Sequence, residues 1–213
     1  MGLYSGSSSY VRYKVNGEPG ENLRETVLAG LKEFSFRELD TLSVKDKSMG
    51  WVSAENMASV FFDDLHFAKD PYLAFSLRID TRRIPPLAMK AALLREEMKY
   101  KKTTKKERLA KKEKDTLREQ VSDSLMKKVL PIPVLYDVCW NSATGTVLFF
   151  SINKKASMEF VDFFSVSFQL MLTPLYPYEL ACSLIDMKKD KIRLEKLTNT
   201  LEGFEWSKIQ DAR

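Results

Sequence analysis

Residues 85–133 read PPLAMKAALLREEMKYKKTTKKERLAKKEKDTLREQVSDSLMKKVLPIP, a segment rich in lysine and glutamate that prolines bound at both ends. Proline is tolerated in a first helical turn, so we predict helix over about 87–129, with a break near 103–104. The stretch 99–114 is polar nearly all round, which is typical of a helix that projects into solvent or contacts a charged partner. A narrow apolar stripe is formed by Leu109, Leu117, Val121 and Leu125.

The positive charge of the chain is concentrated in this segment. Between Arg82 and Lys128 there are 16 lysines or arginines and 7 acidic residues, a net charge of +9. The whole chain has a net charge of +5, so the remainder has −4. A local concentration of positive charge attracts polyanions, whereas an evenly basic surface mainly favours solubility.

Four cations of the segment follow the spacing i, i+4, i+7, i+11: Lys101, Lys105, Arg108 and Lys112. On a continuous helix this spacing forms one row, suited to neutralising phosphates without reading sequence. A solvated helix with internal ion pairs has the same composition, and that alternative stays open. Tyr100 is the one aromatic residue among the lysines, so contact with a duplex backbone is favoured over base stacking.

Alternating residues on both sides of the segment predict a sheet. The stretch 7–15 places Tyr10, Arg12 and Lys14 on one face, opposite Val11 and Tyr13. The stretch 72–79 is a second strand, with its larger apolar side chains on one face. Two further strands, 134–140 and 146–152, flank a five-residue loop. A phenylalanine-rich amphipathic helix covers 156–172.

Weaker signals complete the order of elements. Asn22, with Glu25 three residues later, predicts the capped start of a helix. Trp51 and Val52 are expected to follow a loop, and 178–185 is expected to be a last strand before a terminal helix. The order β-α-β-β, long helices, β-β-α-β predicts an α+β fold: a mixed or antiparallel sheet built from two βαββ-like halves, with a protruding basic helical insertion.

Three regions follow from these patterns. We expect an α/β core lobe made of residues 1–81 and 131–186. Residues 82–130 form the basic helical insertion, and residues 187–213 form a C-terminal helical segment.

No arrangement of residues indicates catalysis. His66 is the single histidine, so no zinc-ligand spacing exists, and no phosphate-binding glycine loop or nucleophile motif is present. Asp63-Asp64 and the Glu-x-Lys triplet 97–99 lack the convergent carboxylates of a nuclease. Cys139 and Cys182 are expected to be buried thiols. We therefore predict a protein that is not an enzyme and has no catalytic residues, metal or cofactor.

The absence of a long apolar run predicts no membrane span. Together with the cysteine usage, it favours a cytoplasmic location.

Several stretches of this chain resemble the recombination-associated protein RdgC family. They are Met49-Gly50-Trp51-Val52, Pro85-Pro86, the run from Arg108 to Glu119, Asp137-Val138-Cys139-Trp140, the hairpin at Gly145 and the run from Ser151 to Lys155. The resemblance covers roughly residues 3–185. Its most specific part is Arg-Leu-Ala-Lys-Lys with the Lys-Asp-Thr-Leu continuation.

The resemblance implies a nucleoid-associated protein that binds double-stranded DNA without sequence preference. Members of the family form a dimeric ring around DNA and restrain RecA-dependent recombination. Longer members continue beyond the position that corresponds to Arg213. A homodimeric clamp is therefore expected here, with closure of the ring left open. Because the polar insertion has little apolar surface to bury, the apolar dimer contact is expected in the core lobes or in the C-terminal segment, for example at Leu197, Leu201, Phe204 and Trp206. The alternative that these four residues pack on the sheet of their own chain stays open.

We predict that DNA contacts come from the insertion and from one lysine pair of the core lobe. The candidate residues are Arg82, Arg83, Lys99, Lys101, Lys102, Lys105, Lys106, Arg108, Lys111, Lys112, Lys154 and Lys155. Arg12 and Lys14, together with the lysine pair, are an alternative surface. The alternative function is a protein–protein interaction module whose basic helices bind an acidic partner.

Overall fold

A computed structural model describes residues 2–4, 6–17, 22–40, 43–63, 67–105 and 108–176. In chain order its elements are β1 (Val11–Asn16), α1 (Leu23–Glu33), β2 (Lys47–Ser53), β3 (Ala68–Lys69), β4 (Tyr72–Thr81), α2 (Pro86–Thr104), α3 (Lys111–Met126), β5 (Ile132–Asn141), β6 (Thr146–Phe149), α4 (Lys154–Phe168) and β7 (Met171–Pro174). The predicted α+β fold is confirmed.

The strands form one antiparallel sheet in the order β2-β4-β5-β6-β1-β7, and β3 pairs with β4. β1, from the first half of the chain, lies between two strands of the second half. Tyr13 is opposite Val147 of β6 on one side and Pro174 of β7 on the other. The two βαββ-like halves are therefore interleaved in a single sheet.

Helices α1 and α4 pack together on one face of the sheet, over its aromatic core. The predicted faces of β1 and β4 are confirmed, because Tyr13, Leu73 and Phe75 all lie in that core. Phe160 of α4 stacks on Phe149 of β6, with ring centroids 4.2 Å apart. Every third or fourth residue of α4 contributes to this layer, as the amphipathic spacing requires.

The insertion is a helical hairpin with its own small core. Leu109, Leu117 and Val121 are buried against α2, and Leu125 packs beside them. This cluster shares no residue with the core of the sheet. The predicted start at the proline pair, the break and the apolar stripe are all confirmed. At 1.5 Å per residue, α2 is about 28 Å long.

Some boundaries differ from the expected ones. Asn22 occupies the N-cap position of α1, but its side chain makes no capping hydrogen bond. Trp51 lies inside β2, where it pairs with Leu77. The phenylalanine-rich helix ends at Phe168, because Gln169 adopts a left-handed conformation with φ 56° and β7 follows. The expected strand 178–185 lies outside the described residues, as does the terminal helix.

Strand β5 begins two residues before its predicted start and contains Pro133. That proline pairs with Asp80 of β4, whereas β6 pairs with β5 only from Val138 onward. Among the described strands, none pairs with the other side of β5 at Pro133, and such an edge position is where a strand tolerates proline.

Candidate nucleic-acid interface

The turn of the helical hairpin is shaped by side chains that hydrogen-bond locally. The hydroxyls of Thr103 and Thr104 donate to the carbonyls of Lys99 and Tyr100, at 3.0 and 2.7 Å. Bonds of this kind weaken and bend a helix slightly but do not end it, since Thr116 makes the same bond inside α3. Lys105 then adopts a left-handed conformation with φ 53°, a common way for a helix to end.

Glu113, the third residue of α3, closes the turn. Its carboxylate accepts a hydrogen bond from the backbone N–H of Ala110 at 2.9 Å and another from the hydroxyl of Tyr100 at 3.3 Å. Leu109, two residues before the start of α3, is buried in the core of the hairpin. The Glu113 carboxylate therefore faces the turn, whereas the neighbouring Lys111 and Lys112 are exposed to solvent.

Six described cations surround this turn, and all six are exposed. They are Lys101, Lys102, Lys105, Arg108, Lys111 and Lys112, which we call the hairpin tip. The predicted single row is wrong, because α2 ends before Lys105 and α3 begins only at Lys111. The cations instead come from two helix ends and the loop between them. Lys106 lies outside the described residues.

Arg82 was predicted to contact DNA, but it is only 5% exposed and does not lie on the basic surface. Its guanidinium donates to the backbone carbonyls of Leu39 at 3.2 Å, Asp40 at 3.2 Å and Ser43 at 3.0 Å. Arg82 therefore holds the segment before β2 against the end of β4. The adjacent Arg83 is exposed.

The remaining candidates lie along the hairpin and at its base. Lys99 pairs with Glu96 at 2.5 Å, although its side chain is 70% exposed. Lys154 and Lys155 are exposed in the first turn of α4. Lys155 lines a shallow depression with residues from the end of β4 and the start of β5, the strands that lead into and out of the hairpin. The structure thus brings Lys155 and the hairpin base to the same end of the sheet.

Helix α2 also carries an exposed apolar row. Leu87, Leu94 and Met98 have the spacing i, i+7, i+11, and all three are exposed. The expectation that the insertion offers little apolar surface is therefore wrong for this side of α2. The residues expected to form the dimer contact, from Leu197 to Trp206, lie outside the described residues.

A second candidate surface, with Arg12 as the one cation among its described lining residues, lies on the face of the sheet opposite α1 and α4. A depression of about 290 Å³ is lined there by Tyr10, Arg12, Tyr72, Asn141, Thr146 and Leu148, together with Cys139 and Thr144, and we call it the open-face depression. Burial raises the pKa of the Cys139 thiol on its floor. The alternation of 7–15 predicted that Tyr10, Arg12 and Lys14 share one face of a strand. Nothing in the sequence predicted that Tyr72 lies beside the same depression as Tyr10 and Arg12.

In the described part of the chain, no helix is long and apolar enough to cross a membrane. Among the same residues, no three histidine, cysteine, aspartate or glutamate side chains are grouped in a way that could hold a metal ion.

Comparison of the chain with protein-family models and with curated proteins finds no match in either set. The resemblance to the RdgC family therefore stays a prediction based on the residues quoted for it.

Proposed function

We propose that this protein binds double-stranded DNA without sequence preference through the hairpin tip. The observation that carries the proposal is the gathering of six exposed cations at one end of an ordered helical hairpin. Among the described acidic residues, Glu113 is the nearest in sequence to these cations. Its carboxylate accepts hydrogen bonds from Tyr100 and Ala110 within the turn. Six exposed cations close together at the end of a helical hairpin are suited to the phosphates of a duplex.

The composition of the tip favours backbone contact over base reading. Lysine and arginine contacts to phosphates fix position on a duplex but carry no sequence information. Direct reading of bases uses a helix that presents asparagine, glutamine or arginine to the major groove. The tip offers Arg108 alone of these types, on the loop between the helices.

The cellular role follows the family resemblance. By occupying duplex DNA, such a protein would restrain RecA-dependent recombination as a non-enzymatic, nucleoid-associated factor of the cytoplasm. A homodimer would place two hairpin tips on opposite sides of one duplex and double the phosphate contacts. The exposed row of Leu87, Leu94 and Met98 offers apolar surface for a second copy.

Fluorescence anisotropy with labelled duplexes of random sequence tests the proposal. Affinity should fall linearly with salt on a log–log plot, with a slope of about −0.9 per phosphate contact. The tip variant replaces Lys101, Lys105, Arg108 and Lys112 by alanine. The matched control removes the same charge from exposed positions away from the tip, namely Lys32, Arg37, Lys45 and Lys127.

We expect the tip variant to flatten the salt slope by up to about 3.6, which is four contacts at 0.9 each. The control should retain the slope of the unmodified protein. Equal slopes for the two variants would show that net charge, and not the tip, drives binding. Random duplexes should bind within a few-fold of each other, and one sequence preferred by about 10³ would contradict non-specific binding.

One observation favours an acidic protein partner as the second candidate. A groove of about 690 Å³ runs between α2 and α3, with Val121 and Leu125 on its floor and Arg95, Lys99 and Lys128 among its lining residues. An amphipathic acidic helix fits such a groove. Duplex binding that the tip variant leaves unchanged, combined with tight binding of an acidic amphipathic peptide, would favour this candidate.

A further inference from the structure

We infer that the open-face depression binds unpaired bases of single-stranded nucleic acid. This site goes beyond the proposed duplex binding, because it lies on different elements and takes a different ligand. Two exposed aromatic rings flank it: Tyr72 is 47% exposed and Tyr10 is 38% exposed. Exposed tyrosine rings beside cations are the means by which single strands are held without sequence reading.

The strand register explains how the site is assembled. Tyr72 of β4 is opposite Asn141 of β5, Asn141 is opposite Thr146 of β6, and Thr146 is opposite Lys14 of β1. These four residues therefore form one row across four strands. With strands about 4.8 Å apart, the row spans about 14 Å. Arg12 lies in the neighbouring row, opposite Leu148.

The charge of the depression selects an anionic ligand. The Arg12 guanidinium lies 5.6 Å from the centroid of the Tyr10 ring, so a positive charge and a π-face adjoin. Lys14 stands next to it, held by a 2.6 Å hydrogen bond from its ammonium group to the carbonyl of Thr144. Among the described residues, no aspartate or glutamate lines the depression.

Shape and ring exposure distinguish a single strand from a duplex. The bases of a duplex stack on each other, and their faces are not available to a tyrosine ring. An unpaired base can lie against Tyr10 or Tyr72 while Arg12 or Lys14 contacts the adjacent phosphate. Side-chain groups on the floor are also suited to a base edge. The Oδ1 of Asn141 accepts from the N–H groups of Ala143 and Thr144, which fixes the orientation of its amide.

The experiment measures anisotropy of fluorescein-labelled oligothymidylate, oligouridylate and a blunt duplex of equal length with the full chain. The test variants are Tyr10→Leu, Tyr72→Leu and the double variant. Tyr10→Phe and Tyr72→Phe retain the π-face. The matched control is Phe61→Leu, which removes a 68% exposed ring from the loop after β2, away from the depression.

We expect the double leucine variant to bind single strands about tenfold more weakly or worse, because a stacked base contributes strongly to such complexes. The phenylalanine variants and the control should bind as the unmodified protein does, and duplex affinity should stay constant. DNA and RNA oligonucleotides should respond alike, because stacking does not involve the 2′-hydroxyl. Equal loss in the leucine and phenylalanine variants would overturn stacking as the mode of binding.

The hairpin tip variant separates this inference from the proposed function. Loss of duplex binding with single-strand binding retained supports two sites. Loss of both in the tip variant, with the leucine variants unaffected, overturns the open-face site and leaves the duplex proposal standing. If the leucine variants unfold, photocrosslinking of 5-iododeoxyuridine oligonucleotides to the unmodified protein decides. Crosslinks at Tyr10 or Tyr72 support the site, and crosslinks confined to other peptides overturn it.

Discussion

Arg82 and Arg83 are adjacent arginines with opposite environments, and replacing each by alanine tests the fold directly. Arg82 is buried, and its guanidinium makes four hydrogen bonds to three backbone carbonyls. Arg83 is exposed. The sequence predicted both as DNA contacts. The structure instead predicts that Arg82→Ala destabilises the protein and that Arg83→Ala does not.

The magnitude follows from the bonds that are lost. A buried polar group left without a partner costs about 1–3 kcal/mol, and hydrogen bonds to a charged donor lie at the upper end. Asp40 is exposed, so water can replace part of what the guanidinium provides there. We therefore expect Arg82→Ala to lower the free energy of unfolding by about 3 kcal/mol, and Arg83→Ala to change it by less than about 0.5 kcal/mol.

Urea unfolding followed by far-UV circular dichroism measures the difference. With an m-value of about 2–3 kcal/mol per molar urea, the midpoint of Arg82→Ala should fall by about 1 M. Arg82→Lys should recover only part of this loss, because an ammonium group cannot reach three carbonyls with the planar geometry of a guanidinium. Equal midpoints for the Arg82 and Arg83 variants would refute the assigned role of Arg82.

Three further outcomes are expected. Leu117→Ala should destabilise the hairpin by about 2 kcal/mol and raise amide exchange in α2 and α3 alone, since their core is separate; a uniform rise across the sheet would contradict this. Gly50→Ala should cost about 2–3 kcal/mol in thermal or urea unfolding, because its new Cβ would lie 2.3 Å from the Phe36 Cα. Gly6→Ala is the control, with no heavy atom within 4 Å of its Cβ, and similar losses in both variants would contradict the close approach. Because burial raises the pKa of the Cys139 thiol, its alkylation by iodoacetamide, followed by peptide mass spectrometry, should be slow at pH 7 and keep accelerating above the ordinary thiol pKa of about 8.5. A rate that levels off near that value would indicate an accessible thiol.

Local patterns were sufficient to predict most of the long elements of this fold, but not β3 or β7, which are two and four residues long. The alternation of β4 and the helical spacing of the phenylalanines in α4 each identify the face that packs into the aromatic core, because side-chain direction repeats with the period of the element. The proline pair and the threonine pair likewise mark where the hairpin begins and where it turns. These signals depend only on neighbouring residues, so the sequence by itself determined them.

Tertiary structure decided everything that required distant segments to meet. The insertion of β1 between β6 and β7 joins positions more than a hundred residues apart, and no periodicity encodes it. Arg82 and Arg83 look alike in the sequence, but only one faces the carbonyls of the segment before β2. The cations of the hairpin tip form a cluster because the chain reverses there. Tyr72 and Arg12 line one depression only because of the register of four strands. Charge and ring type are properties of single residues, whereas the surface they share depends on the path of the chain.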